Sequence, residues 1–169
     1  MKKIIIFLVL LSLWSCKSIE LKTVNAEKNV NSTIDDWHVA AATANYDDYF
    51  NLMTADAVFI GTDATENWNK EAFQSYAKPH FDKGKAWSFT TLERHIFFDK
   101  TGNLAWFDEL LNTQMKICRG SGVLVKKGKE WKIKQYVLSM TVPNENSSEI
   151  IKLKSNSEDA IIRKMQIKN

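Results

Sequence analysis

The sequence predicts an α+β domain in which N-terminal helices pack on one face of a curved, mostly antiparallel sheet. Two observations carry this. Between Val30 and Phe81 apolar residues recur mainly at helical spacing, whereas from Trp87 onward the period falls to two. The period-two region is also broken at "DKTGN" and "KKGKE", which hold the glycine and polar residues of hairpin turns. Hydrophobic residues make up 44% of the chain and aromatic ones 11%, enough for a packed core without cross-links.

Taken in order, Lys2 and Lys3 precede the apolar run Ile4 to Leu13, which ends near Ser15 and Cys16. That is the layout of a secretory signal, and the run is too short for a stable bilayer span. "LWSC", Leu13 to Cys16, resembles a bacterial lipobox, with Cys16 as the lipidated mature N-terminus and Trp14 as a departure from its usual pattern. A plain signal peptide cleaved nearby is the alternative. The expected organisation is a signal over 1–15, a polar tether over 16–29, a folded domain over 30–142 and a tail over 143–169. The first helix has Val30, Ile34, Trp37, Ala41 and Ala44 on one face, Ser32 or Thr33 as cap, and Asp35 and Asp36 in its first turn. A short helix over Asp47 to Met53, a strand at "AVFIGT" and a third helix capped by Asn69 follow, with Phe73, Tyr76 and Ala77 buried. Pro79 and Gly84 close that region. Strands are expected near Trp87 to Asp99, Asn103 to Met115, Ile117 to Lys126 and Glu130 to Thr141. The tail holds amphipathic turns at Glu149 to Leu153 and Glu158 to Met165.

Charge and cysteine content narrow the function classes. Removing residues 1–15 takes two of the 23 basic residues and none of the 20 acidic ones, so the excess falls from +3 to +1. No clustered basic face is left for nucleic acid. With Cys16 lipidated, Cys118 has no partner for a disulfide. No His pair has the spacing or cysteine company of a zinc site, so neither a metal nor another cofactor is expected.

Strand parity builds a candidate pocket. With "KGK" as a three-residue loop, Val125 faces Trp131, Ser121 faces Gln135 and Arg119 faces Val137; a turn centred near Gln114 then sets Glu109 opposite Arg119. The inner face would carry Phe107, Glu109, Arg119, Ser121 and Gln135, with Tyr136, Gly120 and Gly122 turned away. Two roles fit the Glu109 and Arg119 pair. It is a partly buried structural ion pair, or Arg119 binds an anionic or carbonyl group while Glu109 orients it or abstracts a proton. His38, on the first helix, faces either the pocket or its edge. His80 fits a helix-end cap, and His95 a surface position.

The motifs "GTDATENW", "LAWFDELL", "RGSGVL", "WKIKQYVLS" and "TVPNE" occur in an order that resembles the SnoaL-like branch of the nuclear transport factor 2-like superfamily, over Val30 to Glu145. The resemblance implies the cone-shaped fold of that superfamily and a homodimer, with an outer sheet face bearing Trp106, Leu110 and Leu124. It also implies that the loop after the first strand lies at the pocket rim. Asp63, Glu66 and Trp68 then reach the mouth; alternatively Asp63 caps its own turn and Trp68 packs on the third helix as a lid. Many relatives hold a histidine where this chain has Val137, so one acid/base group of the family is absent.

Three functions fit these readings: a lipid-anchored cell-envelope protein binding a small apolar or weakly anionic molecule; an isomerase, cyclase or dehydratase using Glu109, Asp63 or His38 as base; or a dimerising accessory domain with a filled cone. Secretion is the alternative location.

Overall fold

The computed structural model describes residues 24–167. The signal, Cys16 and most of the expected tether lie outside the described residues. Contacts divide the chain into two units, meeting at Ser139 and Met140.

In the first unit helix α1 spans residues 24–42, so it starts before the expected cap. Ser32 and Thr33 lie inside it; Thr33 turns its hydroxyl back to the Asn29 carbonyl, the usual outlet for a mid-helix threonine. Val30, Ile34, Trp37 and Ala41 are buried, as the helical spacing requires. Asn45 caps α2, Tyr46–Asn51, by accepting from the Asp48 amide. Strand β1, Met53–Ile60, leads through the "GTDATE" loop to β2, Asn67–Asn69, a short strand that the periodicity did not reveal. Asn69 then caps α3, Lys70–Phe81, accepting from the Ala72 amide; Phe73 and Ala77 are buried while Tyr76 is exposed. Pro79 sits within the last turn of α3, where its ring does not stop the helix at once.

Strands β3, Phe89–Phe98, β4, Leu104–Thr113, β5, Lys116–Lys127, and β6, Glu130–Met140, complete one six-stranded sheet in the order β2-β1-β6-β5-β4-β3. All pairings with a defined register are antiparallel except β1 with β6, which is parallel.

The hairpin registers correct the expected parity. Thr113 pairs with Lys116 around a two-residue turn, so Glu109 faces Gly120 and Leu110 faces Arg119. Lys116, at φ 70°, supplies the left-handed residue that closes so short a turn. The next loop is also two residues long, Gly128 and Lys129, with Gly128 at φ 64°. Each loop is one residue shorter than the expected arrangement, and a one-residue slip moves a strand's whole side-chain set to the other face. Hence Cys118, Gly120, Gly122 and Leu124 face the helices, and Arg119 is exposed. Leu124 therefore belongs to the core and not to an outer dimer face.

In β6 burial changes phase after Ile133, and the β1 pairing shifts register between Met53 and Val58. That irregularity turns Tyr136 and Leu138 inward and leaves Gln135 and Val137 half-buried. The core fills the concave side. Trp37, Tyr49, Phe73 and Tyr136 are among its largest fully buried side chains; Trp37 stacks on Tyr49 at 4.7 Å and meets the edge of Tyr136 at 4.8 Å.

The second unit holds a single-turn 3₁₀ segment, Asn144–Asn146, and helix α4, Ser147–Gln166. The two expected amphipathic turns are thus one continuous helix, none of whose residues is buried.

Candidate functional site

Two glutamates define two different environments. Glu109 points from β4 toward α1, and its side chain is 0% exposed. Its Oε1 accepts from the Tyr136 hydroxyl at 2.9 Å and lies 2.9 Å from His38 Nε2. Its Oε2 accepts from Arg94 Nε at 3.0 Å and Nη2 at 2.8 Å, a two-point guanidinium contact. A carboxylate offers about four lone-pair sites. All four are occupied.

Arg94 is equally committed. Beyond Glu109, its Nη1 donates to Asn31 Oδ1 at 3.1 Å and Asp35 Oδ1 at 2.8 Å, and its Nη2 to Thr91 Oγ1 at 2.9 Å. One guanidinium therefore ties α1 to β3 and β4. Burial pushes the Glu109 carboxyl up, but the His38 bond and the Arg94 charge overcome it, leaving the group below the ordinary glutamate value. Burial first, then the Glu109 charge, drives the Tyr136 phenol well above its normal value, so it stays a donor. Gly120 makes the Tyr136 bond possible, since a Cβ there would lie 2.2 Å from the Tyr136 hydroxyl and 2.9 Å from Glu109 Oε1.

The second environment is a cleft of ≈ 160 Å³ at the rim, between the loop after β1, α3 and the β4–β5 turn. Phe59, Trp68, Phe73, Trp87 and Phe89 supply much of its wall, and among the described residues Glu66 is the one charged residue in its lining. Trp68 stacks on Tyr76 at 4.4 Å and on Phe73 at 5.8 Å, so it packs on α3 and lines the cleft at once. Glu66 folds back on its own loop: its Oε2 accepts from the Asp63 amide at 3.1 Å. Gly61 leaves the room, because a Cβ there would stand 2.1 Å from that oxygen.

An aromatic layer separates the two. Phe89 lines the cleft and presents its ring to His38 at 5.5 Å; Phe59 lines it and stacks on Tyr136 at 5.7 Å. Neither Glu109 nor His38 lines the cleft.

The remaining expected site residues are dispersed. Asp63 is exposed and accepts from the Thr65 amide at 2.8 Å and hydroxyl at 2.6 Å; these bonds hold its carboxyl below the usual range. That is the turn-capping geometry. Arg119 sits opposite Leu110 on the outer face, away from Glu109, so the expected ion pair is replaced by Arg94. Ser121 pairs with Asp108, on the face opposite the buried Gly120 and Gly122, and Gln135 pairs with Val58 in the β1–β6 ladder. Phe107 is buried on the inner face, 6.1 Å from the Tyr136 ring. His95 is half-exposed, with Nδ1 3.1 Å from Asp108 and Nε2 3.3 Å from Glu93. Sequence reasoning missed Arg94 and Tyr136. Arg94 was accessible in principle, since it alternates with Ile96 and Phe98 along β3.

No His, Cys, Asp and Glu grouping able to hold a metal is present among the described residues. None of the described helices is long and apolar enough to cross a membrane.

Comparison with solved structures shows the fold. An NTF2-like protein of unknown function from Pseudomonas putida KT2440 is 14% identical, with 73% of this chain and 92% of that one covered, at a TM-score of 0.61. A protein provisionally assigned as a scytalone dehydratase from Novosphingobium aromaticivorans is 12% identical, with coverage of 71% and 87% and a TM-score of 0.59. A protein of unknown function from Mycobacterium tuberculosis is 14% identical, with coverage of 77% and 79% and a TM-score of 0.61. No curated protein matches in sequence. The family profile described as SnoaL-like domain matches residues 30–143, which takes in both glutamates and the aromatic layer between them, and the chain belongs to that family.

Proposed function

We propose that this chain is a small-molecule-binding member of the SnoaL-like family, whose rim cleft takes a compact, largely apolar ligand and whose buried glutamate is structural. The observation that carries this is the saturation of Glu109. A general base needs a free lone pair within reach of a substrate proton, at a pKa near the working pH. Glu109 has its lone pairs engaged, its pKa lowered and an aromatic layer above it. The cleft has the opposite character, apolar walls with a few polar groups at the edge, which is the make-up of a ligand site. Its volume is near that of the roughly 150 Å³ cavity known to accept benzene, so one ring sets the scale.

Native mass spectrometry of the purified protein tests this. A retained ring-sized compound, absent from a folded Trp68→Ala variant, is the expected result. Failure of every member of a single-ring compound panel to bind would sink it.

An isomerase or dehydratase reading draws on one observation: His38 Nδ1 is buried without a protein partner while its Nε2 is held by Glu109. It ranks second because Phe89 stands between His38 and the cleft.

Anchoring in the cell envelope through Cys16 is part of the same proposal and rests on the "LWSC" sequence, with secretion as the alternative. Homodimerisation through the outer sheet face is a further part of the proposal and rests on Phe97 and Trp106, which stack there at 5.8 Å and are exposed. A monomer in sedimentation equilibrium would refute the dimer.

A further inference from the structure

Resting on the ligand-binding reading of the cleft, we infer that Glu66 makes it selective for a ring-bearing molecule with a cationic nitrogen, in preference to neutral or anionic analogues. The weakly anionic ligand expected from sequence required a facing arginine, and Arg119 lies on the other face of the sheet. Among the described residues no lysine or arginine lines the cleft and Glu66 makes no ion pair. The field at its rim is therefore that of one carboxylate, set beside aromatic rings whose faces also attract cations.

Two further observations make Glu66 a placed group. Gly61 leaves space that any side chain would fill, and the Asp63 amide fixes Oε2, so the loop is shaped around this carboxylate. Its charge also reaches the cleft wall: the Tyr76 phenol is pushed up by burial and then by Glu66. Oε1 keeps its acceptor capacity for a ligand N–H, since among the described residues the one hydrogen bond to the carboxylate uses Oε2. An anion in the same place would meet like charge and lack a donor side chain of opposite sign. A primary ammonium on a single ring satisfies both the apolar wall and the carboxylate.

The test is isothermal calorimetry of the whole protein with three matched probes: 2-phenylethylammonium, 2-phenylethanol and phenylacetate. The ammonium should bind about five- to tenfold tighter than the alcohol at low salt, the range for one partly exposed charge contact with an aromatic contribution. That preference should shrink as salt is added. Phenylacetate should bind weakest. Glu66→Gln should abolish the preference for the ammonium over the alcohol. Gly61→Ala should do the same without altering any charge, because its Cβ displaces the carboxylate. Equal binding of ammonium and alcohol by the unaltered protein would overturn the inference and leave the cleft reading intact. Tightest binding of phenylacetate would overturn it too. Absence of binding by all three would overturn the inference together with the ligand-binding reading.

Discussion

Glu109 and Glu66 are the same residue type in one domain, and their surroundings give them opposite uses. Glu109 is fully buried, has every lone pair engaged and is tied to an arginine that is itself tied to three other residues. Glu66 sits at a solvent-reached rim, has one backbone partner and faces a cleft. The difference teaches that a carboxylate in a cone-shaped domain is not a catalytic candidate by depth alone. What matters is whether any lone pair is free and whether a ligand can reach it.

The largest break in that comparison comes from the buried side. Arg94→Ala leaves Glu109 as an uncompensated buried charge and should cost about 3–5 kcal/mol in urea unfolding. Trp37→Ala, in the adjacent packing, should cost a similar 3–5 kcal/mol through the cavity left behind. Gly120→Ala should cost about 1–3 kcal/mol, because the Tyr136 hydroxyl must move off Glu109.

Acid sharpens the contrast. The folded Glu109 titrates below its ordinary value of 4.5, so its stabilising contribution is complete above that value. As pH falls below it, the unfolded state takes up the proton first and the contribution is lost on the way through the lower folded value. Stability measured from pH 7 to pH 3 should therefore fall less steeply in Glu109→Gln than in the unaltered protein. The smallest effect is expected at Arg119→Ala, within about 0.5 kcal/mol, since the side chain is exposed on the outer face.

These contrasts also show what was legible beforehand. The Asn69 cap, the buried stripe on α1 and four long strands follow from local patterns, and each was readable to within a few residues. The site was less legible because facing partners depend on loop length. "NTQMK" and "KKGKE" each close with two residues between paired strands, where a one-residue longer arrangement keeps equally plausible apolar neighbours. That single count exchanged Arg119 for Gly120 beside Glu109. Tyr136 was hidden for a different reason: an irregularity in β6 reverses parity midway, which strict alternation cannot represent. The glycines in "RGSGVL" held the missed clue. A glycine opposite Glu109 and another opposite Phe107 leave room on the inner face for large side chains.

The most direct test of the two-glutamate account is a carbon-13 spectrum of the side-chain carboxyls, recorded while 2-phenylethylammonium is titrated into the protein. The account predicts that the Glu66 carboxyl resonance moves with ligand saturation while that of Glu109 stays fixed. Movement of Glu109 with Glu66 unchanged would place the ligand in the interior and contradict it.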